Sequence, residues 1–463
     1  ELEIKVDLIF KYIRYVSPNN STLISDLKVY GYKLPLEEET KEGKKEIKGY
    51  QVTNIPLIAI HTETNLPIGT GKFRPGPKNN EKVNCNIIVV DKGKIDKNNS
   101  GKIRLRGNSS RWQEKLSYQI NFDEKVNLLD LPSKAKKWTL LANQMDKTLI
   151  RNILAFKIAS ILGQQYAVAC RPVDVIFNGV FDGNYALCDK IEVGKGRVEL
   201  SNSNENEDNE DYIQTDEGFL LVIENTWDGP DPYLVTSGKG VPLTIKYPDE
   251  PDDYQMKYLK NWFDKVESNI YNNITDYVDV ESFAQYFILQ EFCADIDWVW
   301  ASNYLTKHFN DDKLYFGPGW DYDLALDNDR RLYPTNQQKK WIFTLGRSAG
   351  TFRYLISKLL SIEEVLDAVK SKWKDVTAED LTPDKIIGFI NDLTDEINES
   401  QELNFMRWKV LDKILIFEAK ARGSYSEEVN YLKQFLEERF TVFGDKLLSS
   451  NTSSYEPGID HDW

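Results

Sequence analysis

The chain has 463 residues, enough for two lobes that each bury a core, and it carries a net charge of −15. This acidity argues against a nucleic-acid partner, because binding to a phosphate backbone needs clustered Lys and Arg. No apolar run approaches the roughly 20 residues of a membrane-spanning helix. Three histidines and four cysteines without a CxxC pair argue against a zinc site, and the cysteines are expected to be buried free thiols.

The first half of the chain reads as short strands. Residues 1–50 are predicted to form accessory strands, and apolar alternation then predicts a series of strands over 55–60, 86–90, 102–106, 117–122, 172–177, 185–192, 218–224 and 242–247. The strands at 102–106 and 117–122 enclose polar residues, which predicts a hairpin with a polar loop. The Asn178-Gly179 pair predicts a second hairpin turn. Residues 202–211 are acidic and low in complexity, which predicts a solvated loop.

Helices are expected at one place in the first half and throughout the second. A helix over 147–162 is predicted to begin after Asp146, a good N-cap residue. After residue 248 the apolar period becomes helical: an amphipathic pattern surrounds Trp262, and residues 282–294 are apolar almost all round. From 352 to 448 one helical pattern follows another.

These patterns predict an α+β protein with two lobes. The expected divisions are accessory strands at 1–50, a β-rich lobe at 51–246, a helical lobe at 247–448 and a flexible tail at 449–463. The tail is compatible with a linker to an appended module.

Acidic residues are concentrated on either side of residue 310. Asp295 and Asp297 follow the predicted buried helix, Asn303 comes six residues after Asp297, and Asp321 and Asp323 follow a Gly-Pro turn. Carboxylate and amide oxygens suit Mg²⁺, and phosphoryl transfer needs such an ion together with an Asp that orients the acceptor hydroxyl. An ordinary turn or a structural calcium site accounts for the same spacing, so both alternatives stay open at this point.

A second group of residues is basic. Arg104 and Arg106 share one strand face, residues 107–110 are small and polar, and Lys115 lies beyond them. Such a loop can bring its backbone close to phosphates, although an ordinary polar hairpin has the same composition. Arg151 lies about one helical turn from Lys147, a spacing that is also typical of surface ion pairs.

Together these segments resemble the CotH kinase family. The resemblance is carried in chain order by Arg106-Gly-Asn-Ser-Ser110, Lys115 and Tyr118, Trp138-Thr-Leu-Leu141, Asp146-Lys-x-x-x-Arg151-Asn152, Phe177-Asn-Gly179, residues 218–224, Lys246-Tyr-Pro248 and Gly317-Pro-x-Trp-Asp-x-Asp323. It spans more than half of the chain. It implies a divergent two-lobed kinase-like fold, transfer of phosphate from ATP to Ser or Thr of a protein substrate with Mg²⁺ or Mn²⁺, and a secreted or spore-coat location.

The resemblance also implies roles for individual residues. Asp297 would orient the acceptor hydroxyl, while Asp321, Asp323 and Asn303 would hold the metal. The nucleotide would contact a larger set: Arg104, Arg106, Asn108, Ser109, Ser110, Lys115, Arg151, Lys190, Glu224, Lys246 and Trp320.

The sequence departs from the family pattern at two positions. Asp295 stands where the family often has Asn, and Gly319 stands where an aliphatic residue is usual. Some relatives in this family are surface adhesins or components of enzyme complexes. A noncatalytic binding module is therefore the alternative to an active kinase.

Overall fold

The fold was analysed in a computed structural model, which describes residues 37–39, 45–47, 51–63, 82–107, 110, 113–200, 217–224, 231–238, 240–269, 272–299, 301–331, 341–344 and 350–455. Several predicted features lie outside this part of the chain: most of the accessory segment 1–50, the acidic loop at 202–211, the end of the tail, and Asn108 and Ser109.

The first half of the chain is rich in strands, as predicted. Its strands are β1 (Glu37–Glu39), β2 (Lys45–Ile47), β3 (Leu57–Thr62), β4 (Val83–Asp91), β5 (Lys94–Leu105), β6 (Tyr118–Val126), β7 (Ala135–Leu141), β8 (Cys170–Phe177) and β9 (Val180–Asp189). β1 and β2 form a separate antiparallel pair. The predicted hairpins β5–β6 and β8–β9 are confirmed as antiparallel pairs.

Strands β3 to β9 close into a barrel in the order β3-β4-β5-β6-β7-β9-β8. Every neighbouring pair is antiparallel except β3 and β8, which are parallel and close the ring. Alternate side chains of each strand fill the interior, among them Ile103, Ile120, Trp138, Val175 and Tyr185. Barrel closure was not predicted, because it depends on pairing between strands more than one hundred residues apart.

Helix α1 (Arg151–Ile161) connects β7 to β8 and packs on the outside of the barrel. The predicted start at residue 147 and the predicted cap at Asp146 are wrong, because the helix begins four residues later. The Asp146 carboxylate instead accepts hydrogen bonds from the backbone N–H groups of Thr148 and Arg151, at 2.9 and 2.8 Å. It therefore holds the turn that leads into the helix.

A second sheet has five strands, β10 (Phe219–Ile223), β11 (Tyr233–Val235), β12 (Pro242–Tyr247), β13 (Asn303–Lys307) and β14 (Leu314–Phe316), in the order β11-β12-β10-β13-β14. β10 pairs with β13 along its full length. Strands β13 and β14 lie in the segment 247–448, which was predicted as a helical lobe, so this sheet contains strands from both sides of the predicted lobe division.

The remainder of the second half is helical, which confirms the α+β class. The helices are α2 (Asp253–Ser268), α3 (Val280–Phe292), α4 (Gly350–Leu360), α5 (Glu363–Ala378), α6 (Pro383–Glu396), α7 (Asn398–Arg407) and α8 (Tyr425–Ser449). As predicted, α2 buries one face, and α3 is buried nearly all round, between α1, α5 and α8. Over the described residues, no helix combines the length and the apolar character needed to cross a membrane.

Candidate active site

The site begins where α3 ends. The chain leaves the helix through Ala294, makes a short 3-10 turn at Asp297, and enters β13 after Ser302. Ala294, Ser302 and Asp321 have φ angles of 51°, 59° and 75°. Positive φ is uncommon for residues other than glycine, and such residues cluster at functional sites. Three of them accompany the acidic residues that the sequence singled out.

The loop after β14 presents Asp321 and is held tightly. A Cβ atom at Gly319 would lie 2.1 Å from the Tyr322 hydroxyl oxygen and 2.7 Å from Leu289 Cδ2. Only glycine fits this position, which accounts for the departure from the family pattern. The backbone N–H of Tyr322 donates to Asn152 Oδ1 of α1 at 2.8 Å. Helix α1 therefore anchors the loop.

Asp295, Asp297, Asp321 and Asp323 form an acidic cluster in which the charges act on one another. Burial is the main cause that raises the pKa of each of the four carboxyl groups. The negative charges add to this effect: Asp297 raises the pKa of Asp295, and Asp321 raises that of Asp323. Asp321 keeps an open path to solvent, yet protein atoms surround it densely enough to desolvate it. A bound cation would relieve this repulsion.

Two arginines oppose that negative charge. Arg331 Nη2 donates to Asp297 Oδ1 at 2.7 Å, and Arg331 Nε lies 2.9 Å from both oxygens of the buried Asp329. The Arg331 charge lowers the pKa of Asp297, against the effect of burial. Asp297 is thereby fixed in orientation and partly neutralised. Sequence reasoning missed Arg331, because nothing in its spacing from Asp297 marks it.

Arg106 is the second arginine and reaches the site from the β5–β6 hairpin. Its guanidinium lies over the Trp320 ring, 4.9 Å from the centroid, and its charge lowers the pKa of Asp321. Gly107 follows with a φ of 90°, and a Cβ atom there would come within 1.8 Å of Ser110 Oγ. Glycine is thus required for the tight turn that follows Arg106. The structure thus places the Arg106 charge close enough to act on Asp321.

Tyr304 of β13 extends the site toward the second sheet. Burial raises the pKa of its hydroxyl, the positive charges of Lys246 and Arg106 lower it, and Glu224 and Asp321 raise it. The predicted residues Arg106, Lys246 and Glu224 therefore share one electrostatic environment around this hydroxyl. Tyr304 itself was missed because β13 was not recognised as a strand.

Arg104 and Lys246 both interact with the carboxylate of Asp231. Lys246 Nζ pairs with the Asp231 carboxylate at 2.6 Å, and the same carboxylate favours the charged form of Arg104. Arg104 also donates to Gln119 Oε1 at 2.7 Å. Lys190 is partly exposed and pairs with Glu192 at 3.4 Å, and no described contact joins it to Asp297 or Asp321.

Lys115 is not at the site. Its ammonium group donates to Ala142 O at 2.7 Å, to Asn404 Oδ1 of α7 at 2.9 Å, and to Asn184 O. All three N–H donors are used, and the residue is 1% exposed. The predicted contact of Lys115 with phosphate is therefore wrong, because the ammonium group is buried and protein acceptors use all of its donors. We call Lys115, Asp174, Asn184, Ser400 and Asn404 the barrel–α7 interface.

Arg151 also forms a buried ion pair within the protein. Its Nη1 lies 2.6 Å from Asp146 Oδ1, and both side chains are 0% exposed. Lys147, in the same segment, forms a buried pair with Glu418 at 2.8 Å. These pairs hold the entry to α1 and do not support the predicted contact of Arg151 with nucleotide. They are also not the surface ion pairs that the spacing suggested.

Trp320, predicted to contact the nucleotide, and Asn303, predicted to bind the metal, are both occupied by protein contacts. Trp320 is buried and stacks on Phe156 at 5.7 Å, with Arg106 over its ring, so no ring face is open for an adenine base. Asn303 is fully buried, and its Oδ1 accepts a hydrogen bond from the Tyr286 hydroxyl at 2.6 Å. The oxygen expected to bind metal already has a protein partner.

The remaining carboxylates fit a metal held jointly by protein and substrate. Within the described ranges, no three Asp, Glu, His or Cys residues are grouped so that they could hold an ion by themselves. Mg²⁺ commonly uses one or two carboxylates and takes its other ligands from water and phosphate oxygens. Asp321, whose pKa is raised by burial, and Asp323, whose pKa is raised by burial and by like charge, suit that donor set.

Comparisons with known proteins identify the family of the chain. The model of the CotH kinase protein family matches residues 103–443. Among solved structures, the crystal structure of the Helicobacter pylori proinflammatory kinase CtkA aligns over 82% of this chain and 95% of the CtkA chain, at 9% sequence identity and a TM-score of 0.28. No curated protein matches the chain. Because the family model covers well over half of its length, the chain belongs to the CotH kinase protein family.

Proposed function

We propose that the protein is a metal-dependent kinase that transfers the γ-phosphoryl group of ATP to Ser or Thr side chains of a protein. The observation that carries this proposal is the approach of Arg106, on a barrel hairpin, to the acidic cluster that contains Asp321 and Asp297. A positive group facing clustered carboxylates is the arrangement that a metal-bound triphosphate needs. Family membership supports the same chemistry.

Asp297 is the residue we assign to the acceptor hydroxyl. Arg331 occupies its Oδ1, and no hydrogen bond among the described residues uses its Oδ2. That oxygen can accept the hydrogen bond of a Ser or Thr hydroxyl and take its proton as the phosphorus–oxygen bond forms. The Arg331 contact keeps the carboxylate oriented and favours its ionised form.

Asp321 and Asp323 would hold a divalent ion, which supplies neutralisation of the phosphate charge when bound. Arg106 would bind phosphate oxygens, and the turn at Gly107 lets the loop backbone approach them closely. Trp320 supports the Arg106 guanidinium from below. In this proposal the barrel and the second sheet correspond to the N-terminal lobe of a kinase, and the helices correspond to the C-terminal lobe.

A secreted or spore-coat location and a protein substrate complete the proposal, and they rest on the family resemblance alone. The decisive experiment incubates the purified chain with γ-labelled ATP and Mg²⁺ or Mn²⁺, and then measures label in the chain itself and in casein. We expect incorporation into Ser or Thr, and its loss in Asp297→Asn. Asp375→Asn, on the exposed face of α5, is the matched control and should retain activity. No incorporation with either ion would favour the noncatalytic binding module.

A further inference from the structure

Two of the four cysteines lie directly opposite each other on neighbouring strands. The register of the β8–β9 hairpin pairs Cys170 with Cys188. The backbone N–H of Asp189 donates to Ala169 O at 2.9 Å, a bond that flanks the cysteine pair instead of joining it. Cys170 and Cys188 are thus a non-hydrogen-bonded pair, for which the Cα atoms lie about 4.5 Å apart.

This separation is compatible with a disulfide. Disulfides join residues whose Cα atoms are roughly 4.4 to 6.8 Å apart, without backbone movement. The two side chains emerge on the same face of the barrel, toward the core that includes α1. Burial is the main cause that raises the pKa of the Cys188 thiol, and the neighbouring Cys170 thiol raises it further, in agreement with this proximity.

The other two cysteines have no such neighbour. Cys85 in β4 pairs with Thr62 on one side and with Gly101 on the other, and Cys293 follows the last residue of α3. The geometry therefore selects a single pairing among the four thiols.

We propose that Cys170 and Cys188 are a redox-active pair that forms a cross-strand disulfide when a small disulfide compound such as oxidised glutathione is present. The Cys170 thiolate attacks one sulfur of that compound, which releases the first small thiol and leaves a mixed disulfide. The Cys188 thiol loses its proton, and its sulfur displaces the second small thiol from Cys170. The two protein thiols give up two electrons and two protons, and the small disulfide becomes two thiols.

Accessibility decides the order of these steps. Cys170 is half-buried and can be reached first, whereas Cys188 is fully buried. Burial raises the pKa of the Cys188 thiol, while the positive charge of Arg106 favours its thiolate. Ring closure should therefore be slower than formation of the mixed disulfide, and the finished bond should be shielded from external thiols.

The test counts free thiols in the full chain. One sample is incubated with oxidised glutathione and another with dithiothreitol. Both are then acidified, alkylated with N-ethylmaleimide in guanidinium, and measured by intact mass. We expect four alkylated thiols in the reduced sample and two in the oxidised sample, with one cross-linked peptide that contains Cys170 and Cys188. Four alkylated thiols after oxidation, a stable glutathione adduct, or a bond to Cys85 or Cys293 would overturn the proposal.

Variants and stability provide a second readout that does not depend on kinase activity. Cys170→Ala should abolish the cross-link, whereas Cys85→Ala should leave it intact. Oxidation of the unmodified chain should raise its Tm by about 5 °C, because the bond closes a loop of nearly twenty residues. An unchanged Tm in a sample proven to be cross-linked would contradict the geometry, since it would mean that the bond strains the strands. Should Cys170→Ala fail to fold, the mass measurement on the unmodified chain still decides.

Discussion

Two groups of buried charged residues in this protein differ in how completely hydrogen bonds and opposite charges compensate them. At the barrel–α7 interface, Lys115 donates to three protein acceptors, and the oxygens of Asp174 accept from Thr53 and Ser400, each at 2.6 Å. In the acidic cluster, neighbouring negative charges raise the pKa values of Asp295, Asp297 and Asp323 beyond the effect of burial. Arg331 lowers the pKa values of Asp295 and Asp297, Arg106 lowers that of Asp321, and neither arginine acts on Asp323.

The difference indicates a structural role for the barrel–α7 interface and a ligand-binding role for the acidic cluster. A buried polar network in which each donor meets an acceptor stabilises one arrangement of the chain. A group of like charges with few counterions costs stability, and is retained where a ligand completes it. Substitutions in the two groups should therefore have opposite consequences.

The largest effect is expected for Asp321→Asn. Its rate of phosphate transfer from ATP should fall by about 10³-fold, equivalent to about 4 kcal/mol, because the cluster loses a carboxylate that we propose as a metal ligand. Its Tm should stay constant or rise, since one of several repelling charges is removed. Initial rates and thermal unfolding measure the two quantities. A large fall in Tm together with the loss of rate would mean that Asp321 is structural.

Lys115→Met should show the reverse pattern. Removing the ammonium group takes a donor from the buried carbonyl oxygens of Ala142 and Asn184, and leaves Asn404 Oδ1 with only the Asn184 N–H at 3.2 Å. The free energy of unfolding should therefore fall by about 3 kcal/mol. Nucleotide affinity per folded molecule should not change. Urea unfolding and calorimetric titration with ATP provide the measurements, with Lys102→Met on the exposed side of β5 as the control. A tenfold loss of ATP affinity with an unchanged free energy of unfolding would mean that Lys115 contacts the nucleotide after all.

Arg331→Gln should lower kcat by about tenfold, or about 1.4 kcal/mol, because Asp297 loses the donor that orients it. Arg331 also lowers the pKa of Asp297, so its removal raises that pKa. The acidic limb of the rate–pH profile should then move to higher pH. Arg330→Gln, whose guanidinium lies over Phe417, is the matched control and should leave the profile unchanged. An unshifted profile in Arg331→Gln would contradict the assignment.

The smallest effect concerns pH and Asp174. Burial raises its pKa to about 6 in the folded protein, from 3.8, so its contribution to stability is full below pH 3.8 and is lost as the pH rises through 6. Asp174→Asn imitates the protonated form and does not undergo this loss. Between pH 5 and pH 7.5, the free energy of unfolding of the variant should gain about 1 kcal/mol relative to the unmodified chain. A difference that is independent of pH would show that Asp174 does not titrate in this range.

Local features of the fold were predictable from the sequence. The hairpins β5–β6 and β8–β9 followed from alternation and turn residues, and the buried face of α2 followed from its period. The start of α1 was not predictable, because Asp146 has the chemistry of a cap but binds N–H groups in a preceding turn. Strand β13 was missed because it is short and lies among helical segments.

The site was predictable only in part. Arg106 and the carboxylates of Asp297 and Asp321 were identified from motifs, and the structure brings them together. Lys115 was misassigned because a sequence does not tell whether the acceptors of a basic side chain are phosphates or protein carbonyls. Arg331 and Tyr304 were missed since their proximity to the cluster arises from tertiary packing.

The central claim is that the acidic cluster binds a metal-bound nucleotide, and thermal unfolding with and without Mg²⁺-ATP tests it most directly. A ligand that binds only the folded state raises Tm by an amount that grows with the logarithm of its concentration relative to its Kd. We predict a rise of several degrees for the unmodified chain with Mg²⁺-ATP, and none for Asp321→Asn. Equal shifts in the two proteins, or the same shift with Ca²⁺ alone, would contradict the account and favour a structural calcium site.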